Sequence, residues 1–572
     1  MTKTSPKHAG APEEHPPKPP GAPRARIKRR WPRRTLITAN GVVFLCLAAM
    51  ASAYGYVRQE IGSIVTDPGT DLTPPGFYAG GGGPAPQGPA SEADGLQPEN
   101  ILLIGNETRQ GLTPQQQAQF GSSLTYSGTL ADIMMVLHLD PANRTASVLS
   151  IPRDLFAPMP AGSPVGAYQK MDAALNDGAQ GPDNLVNAVQ EDLGIPINHF
   201  VELNFNGFIN SVNALGGINV YFPDPVFDAD SLLYISTAGC HHLNGFYALT
   251  LVRARHLQYD PPGDTEPRQY WPYDPESDLA RIVRTHTFIK IVADTAKAKG
   301  KTDPLTAASF LSAVVKQMTV DSGLKNQLLS LVLHYRNINV AAMPETTLSV
   351  TGVNDYYYGG YGMGDVLFPV QPADNNVIEA WDASALPKPV APKSVSVVSI
   401  TGSYDAAVAA GQALASRGLK VSSETTGTVP SAISETLVLY HPKDIAEALY
   451  VMKYLSGAVM MQVSPSVAPG TVEVDLGSTV NVAAKPVPPT TATGATTTTG
   501  TTTTTVATTT TATTLATTTT GSTTSGSSTT AGGAHATSTT RPTGTTTTVP
   551  TPNGQPVSAS SDNEEAWDPR AC

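Results

Sequence analysis

An α/β fold is what this sequence predicts, on three observations. Short apolar runs of strand length alternate with longer segments of helical spacing between residues 99 and 383. A second, shorter alternation follows a proline cluster, Pro387, Pro389 and Pro392. Outside these two stretches, Gly, Pro and Thr dominate where a packed core would need apolar side chains.

The chain opens with a basic head. Residues 1–34 carry ten Lys or Arg against two Glu, and an apolar span runs from Leu36 through Val57. About 20 such residues cross a bilayer as a helix. The positive-inside rule then puts residues 1–34 in the cytoplasm and everything after the span outside. The alternative is a cleavable secretory signal, since Ala51-Ser52-Ala53 has the small residues of a cleavage site. The expectation is a cell-membrane protein with a basic tail over 1–34, a transmembrane helix over 35–57 and an extracytoplasmic body. Residues 58–98, with Gly80 to Gly83, read as a flexible stalk. Beyond residue 34 there are 26 basic and 45 acidic residues, an acidic balance that argues against nucleic acid as a partner.

The globular region, 99–383, begins with a strand at Asn100 to Gly105. It continues with a strand at Ile133 to Leu139 and helices at Gln180 to Leu193 and Asp303 to Met318. Residues 384–393 form a linker. Over 394–480 the pattern gives strands at Val395 to Ile400, Leu419 to Ser423, Thr436 to Tyr440, Val459 to Val463 and Val472 to Leu476. Helices at Asp405 to Arg417 and Pro442 to Leu455 lie between them. From 485 to 572 the chain is rich in Thr with Ala, Gly and Ser, and is expected to be disordered. Cys46 falls in the apolar span and Cys572 in this tail. Cys240 therefore reads as a solitary buried thiol, with Cys572 or another chain as the pairings open to it.

The chemistry gathers on arginines. Ser150-Ile151-Pro152-Arg153-Asp154 follows an apolar run that Pro152 ends, because proline cannot donate to a sheet ladder. Leu251-Val252-Arg253-Ala254-Arg255-His256 follows a second run. Read as a strand, it points Arg253 and Arg255 to one face. Guanidinium forks match phosphate oxygens two at a time. Downstream, Asp278 to Val292 reads as a helix with Asp278, Arg281 and Thr285 on one side and Ile282 and Ile289 on another. Exposed salt bridges would be the bland account of one such arginine, but not of the set.

These segments resemble the LytR-CpsA-Psr family of cell-wall glycopolymer ligases. The resemblance runs through Asn100 to Gly105 with Glu107 and Arg109, and Leu130-Ala131-Asp132-Ile133. It continues through Ser150 to Asp154, Lys170-Met171-Asp172, Leu215-Gly216-Gly217, Leu243-Asn244-Gly245 and the arginine and Asp278 segments. Residues 394–480 resemble the LytR C-terminal domain. The resemblance implies an α/β/α core with a central mixed sheet and a hydrophobic channel for a polyprenyl chain. It implies transfer of a glycan phosphate from a polyprenyl-pyrophosphate carrier to peptidoglycan, with Mg²⁺ or Mn²⁺ held by Glu107 and Asp132. Arg153, Arg253, Arg255 and Arg281 would grip the pyrophosphate, and Asp154 and Asp278 would orient them. Arg109, Lys170, Arg284 and Thr285 would touch substrate. Asp132 or Asp154 would accept the acceptor hydroxyl's proton. Four positions depart from the family's common pattern: Glu107 for Asp, Leu130 for Arg, Asp172 for Asn and Thr285 for Gln. The alternative reading is a wall-binding or scaffolding protein.

Overall fold

A computed structural model describes residues 55–66 (except 57), 96–120, 129–275 (except 177), 278–382, 386–427, 433–478, 481–482 and 568–572. The expected basic tail, nearly all of the transmembrane span, most of the stalk and residues 483–567 of the tail lie outside the described residues. Among the described residues no helix is long and apolar enough to cross a membrane.

The site is organised by a seven-stranded mixed sheet. Its strands are β1 (Val65–Thr66), β2 (Glu99–Asn106), β3 (Ala131–Asp140), β4 (Thr145–Ile151), β5 (His199–Asn204), β6 (Met318–Val320) and β7 (Glu345–Thr347), in the spatial order β1-β6-β5-β2-β3-β4-β7. Pairs β2–β3 and β3–β4 are antiparallel, whereas β2–β5 and β4–β7 are parallel. Alternation along each strand separates the two faces. Leu102, Ile104, Met134, Val136 and Phe200 turn to a close-packed core, against Leu185, Val186 and Val189 of helix α1 (Gly181–Leu193). The opposite face is covered by α2 (Phe205–Ala214), α3 (Gly245–Arg253), α4 (Asp278–Thr302) and α5 (Pro304–Gln317), and is packed less tightly.

Local chemistry explains where these helices begin. Asn204 and Asn244 cap α2 and α3, their side chains accepting from the N–H groups of Gly207 at 2.8 Å and Tyr247 at 3.1 Å. Asp303 caps α5, with Pro304 in its first turn.

Residues 394–482 form the strands and helices expected of them: β10 (Ser394–Ser399), β11 (Val421–Thr426), β12 (Thr436–Tyr440), β13 (Leu455–Val463) and β14 (Thr471–Leu476), with helices at Tyr404–Ala415 and Ile445–Met452. These strands join a long hairpin, β8 (Val350–Tyr358) and β9 (Tyr361–Gln371), in one sheet ordered β8-β9-β13-β12-β14-β10-β11. The described residues from Glu60 onward form one compact unit.

Three sequence expectations are corrected. The stalk is partly folded: Ile61 and Ile64 are buried, and Val65 and Thr66 pair with Thr319 and Val320. Two apolar side chains and a sheet edge outweigh the Gly- and Pro-rich composition that follows. Arg253 closes a helix, with Arg255 in the loop beyond it; strand spacing does not relate them. Asn244 supplies the cap that turns this apolar run helical. Cys240 is not a solitary thiol. It is bonded to Cys572 with 5.8 Å between Cα atoms, and Arg570–Ala571 pair antiparallel with Tyr221 and Val220. The tail thus ends in a folded segment.

Candidate active site

One end of the main sheet gathers the charged residues. Strands β2, β4 and β5 finish there and β3 begins there, so Glu107, Arg153, Asn204 and Asp132 converge although they are far apart in the chain. Helices α3 and α4 bring Arg253, Arg255, Asp278 and Arg281 to the same end.

Five of these residues, with Asp154, close a ring of alternating charge. Arg153 donates from Nη1 to Asp132 Oδ1, and its Nε lies 3.5 Å from Asp154 Oδ2. Asp154 Oδ2 also accepts from Arg255 Nη2 at 3.1 Å, and Arg255 Nε is 3.0 Å from Asp278 Oδ1. Asp278 takes a two-pronged grip from Arg281, at 2.9 and 3.2 Å. Arg281 Nη1 then returns to the Asp132 carbonyl at 2.9 Å. Such charge-assisted pairs hold every guanidinium in one orientation. Burial alone would raise the Asp278 carboxyl; the guanidiniums of Arg281, Arg255 and Arg153 outweigh it and hold the group well below the usual carboxylate range.

Arg253 stands apart from the ring. Its guanidinium lies over the rings of Phe205, at 4.8 Å, and Phe120, at 5.2 Å. Among the described residues it makes no ion pair, and burial pushes its pKa down. A cation stacked on two aromatic faces and turned toward a cavity is free to meet an anion.

That cavity has a volume of about 650 Å³, within the usual range for ligand sites. Leu103, Ile133, Met135, Val201 and Leu203 of the sheet form its floor, and Val212, Leu249, Phe288, Val292 and Phe310 of the helices its walls. Glu107, Asp132, Arg153, Arg253, Arg255 and Arg281 stand at its polar end. Asp230 and His256, paired at 2.9 Å, border the same end and were missed from sequence. Neither belongs to an apolar run, and only the turn around buried Asp228, which accepts from the His256 N–H at 2.8 Å, brings them there.

The other expected residues take supporting places. Thr285 lines the cavity, but its hydroxyl donates to the Arg281 carbonyl at 2.8 Å. Lys170 reaches the ring through Asp154, at 2.7 Å. Arg109 and Arg284 are corrections: neither lines the cavity. Arg109 is buried and donates to the carbonyls of Phe120 and Glu107, at 2.8 and 3.1 Å, which fixes the loop after β2. Arg284 is 1% exposed and bound to Asp274, Asp568 and the Ala254 carbonyl. It sits one helical step from Arg281, on the core side of α4. Asp172 is also buried, and burial pushes its carboxyl up to about 7.

Among the described residues no three His, Cys, Asp or Glu groups could hold a metal together. A hard divalent cation needs less from the protein, since it binds through one or two carboxylates and completes its shell with phosphate and water oxygens. Glu107 and Asp132 supply that donor set. Burial, and next the charge of Asp132, push the Glu107 carboxyl up, a repulsion that a cation between them would relieve.

A family model described as the LytR_cpsA_psr family matches residues 87–365. Over 236 residues the chain is 30% identical to the probable cell wall biosynthesis protein LcpB of Corynebacterium glutamicum, covering 41% of this chain and 51% of that protein. With the cell wall biosynthesis protein LcpA of the same organism it shares 25% identity over 462 residues, 73% of this chain and 83% of that one. A stretch of 129 residues is 40% identical to the polyisoprenyl-teichoic acid–peptidoglycan teichoic acid transferase TagV of Bacillus subtilis, 22% of this chain and 32% of that one. The chain thus spans about half the length of the first relative and a third of the last. Among solved structures, a LytR-Csp2A-Psr enzyme from Actinomyces oris aligns at 24% identity with a TM-score of 0.37, over 50% of this chain and 90% of that one. Every member of the charged ring falls inside the matched region, and on that match residues 87–365 of this chain are a LytR-CpsA-Psr family region.

Proposed function

We propose that this chain is a membrane-anchored phosphotransferase that moves a glycopolymer from a polyprenyl-pyrophosphate carrier to peptidoglycan. One observation carries the reading: an apolar cavity of about 650 Å³ ends at a ring of fixed guanidiniums. A ligand that fits both halves has a long hydrocarbon chain and a phosphoanhydride head. The carrier's isoprenoid would lie along Leu103, Phe288 and Val292, and its pyrophosphate would meet Arg153, Arg253, Arg255 and Arg281.

In the reaction, a peptidoglycan sugar hydroxyl attacks the glycan-bearing phosphorus. The phosphoanhydride P–O bond breaks, the glycan leaves as a phosphodiester on the wall polymer, and polyprenyl phosphate departs. Negative charge grows on that leaving phosphate, where preorganised guanidiniums stabilise the transition state more than the ground state. Asp154 is occupied by three cations, Arg153, Lys170 and Arg255, and does not line the cavity, whereas Asp132 does. Asp132 is therefore the better placed of the two to accept the hydroxyl's proton. Mg²⁺ or Mn²⁺ held by Glu107 and Asp132 would supply further charge neutralisation to the phosphates. The named activity of TagV, teichoic acid transfer to peptidoglycan, is the same class of chemistry. The N-terminal apolar span would keep the cavity beside the lipid that it draws on.

The test is release of polyprenyl phosphate from a lipid-pyrophosphate-linked glycan by the full chain in detergent, with Mg²⁺ and a peptidoglycan acceptor. Product that depends on acceptor supports the reading. Tight lipid binding without any turnover would instead favour a wall-binding scaffold.

A further inference from the structure

Arg284 is the one arginine of the α4 cluster that never faces the cavity, and its partners link the far end of the chain to the site. Its Nη2 donates to the Ala254 carbonyl at 2.9 Å. Ala254 is the residue between Arg253 and Arg255, both of which line the cavity. Its Nη1 donates to Asp274 at 2.5 Å and to Asp568 at 3.4 Å. Asp568 is 4% exposed and comes from 284 residues further along the chain. Two further contacts fasten its segment. Arg570 and Ala571 extend the strand pair formed by Ile218–Phe222 and Gly239–Leu243, and Cys572 is bonded to Cys240 on that pair.

We propose that Asp568 is a positioning residue for Arg253 and Arg255, delivered by the Cys240–Cys572 disulfide. A buried guanidinium keeps its orientation only while its charge is compensated. Asp274 supplies one carboxylate and Asp568 the second. With both present, Arg284 holds the Ala254 carbonyl, and that carbonyl fixes the backbone from which the two cavity arginines project. Five residues cannot offset their own ordering entropy on a surface. The disulfide and the two strand residues keep Asp568 at its partner as an intramolecular ligand. This inference rests on the reading that Arg253 and Arg255 bind pyrophosphate.

The experiment compares farnesyl pyrophosphate and farnesol as ligands of the full chain in detergent, by calorimetry. Asp568→Ala and Cys572→Ser should each weaken farnesyl pyrophosphate about tenfold, the size of one charge-assisted hydrogen bond. Farnesol, which uses only the apolar cavity, should bind as before. Asp568→Glu, which restores the charge, should recover most of the loss. Unchanged farnesyl pyrophosphate affinity in Asp568→Ala overturns the positioning role, and so does an equal loss for both ligands, which marks a general loosening of the fold. If the unaltered chain binds the two ligands equally, the pyrophosphate site itself is wrong and this inference falls with it.

Discussion

Arg255 ties the two halves of the charged ring together, because among the described residues it alone pairs with both Asp154 and Asp278. Its removal would leave two carboxylates short of a partner and the phosphate without a donor. Arg255→Ala and Arg253→Ala should each lower polyprenyl phosphate release by about 10²–10³-fold, with far-UV circular dichroism unchanged; full activity in either variant would remove the pyrophosphate from this end of the cavity. Lysine should not rescue Arg253, since a point charge loses the planar stack on Phe120 and Phe205. Asp278 makes a pH prediction. Its folded-state pKa is depressed despite burial, through Arg281 and then Arg255. Its contribution to stability is therefore complete above the unfolded carboxylate value of about 3.9 and declines as pH falls below it toward the folded value. The difference in urea midpoint between the unaltered chain and Asp278→Asn should be constant around neutral pH and shrink below about pH 4. A gap that widens on acidification would contradict the assigned pairing.

Strand alternation and helix periodicity meet in the cavity. On β2, β3 and β5, the row Leu103, Met135 and Val201 faces it, while the next residues along each strand pack against α1. Across it, α4 presents Arg281, Thr285, Phe288, Ile289, Val292 and Ala293, spacings of three and four that keep one stripe inward. The polar residues Arg281 and Thr285 occupy the first turns of that stripe and the apolar ones follow, so one helix serves both the head and the tail of the proposed ligand. Ala293 has the smallest side chain of the six. Ala293→Trp should fill the deep part of the cavity and weaken long-chain prenyl pyrophosphates at least about tenfold. Inorganic pyrophosphate, which needs only the guanidiniums, should bind as before; equal binding of long lipids by the variant would place their chains elsewhere.

The strands of residues 394–482 continue the sheet begun by the hairpin of residues 350–371, since Val370 and Gln371 pair with Ala458 and Gly457. Two contacts reach the first core as well. The Tyr440 hydroxyl donates to the Glu191 carbonyl at 2.8 Å, and the Met461 N–H donates to Asp192 at 3.2 Å. Sheet continuity of this kind couples unfolding, so calorimetry should give one main transition covering residues 99–482. A separate early transition assigned to 394–482 would show that the shared strands are not cooperative. The disulfide adds a second long-range constraint. Excising residues 490–560 while keeping Asp568 to Cys572 should leave the rate of lipid phosphate release unchanged, whereas deleting through Cys572 should lower it.

Much of this was legible in the chain. Apolar runs bounded by Gly, Pro and Asn located β2, β3, α1, α5 and most elements beyond residue 394, because burial of alternating or helical faces is a local property of sequence. The ring residues Arg153, Asp154, Arg255, Asp278 and Arg281 were named from their segments, as was Arg253 beside them, and Asp132 through the family resemblance. What the chain alone could not decide was facing. Arg281 and Arg284 are three residues apart on one helix, yet one lines the cavity and the other is sealed behind it by Asp274 and Asp568. The same holds for Arg109, which braces a loop, and for Cys240, whose partner lies 332 residues away. Composition and periodicity act over a few turns of chain. Which cation meets solvent, which carboxylate neutralises it and which thiols meet are settled by contacts between segments that share no local signal, and those exist only once the sheet has closed around its helices.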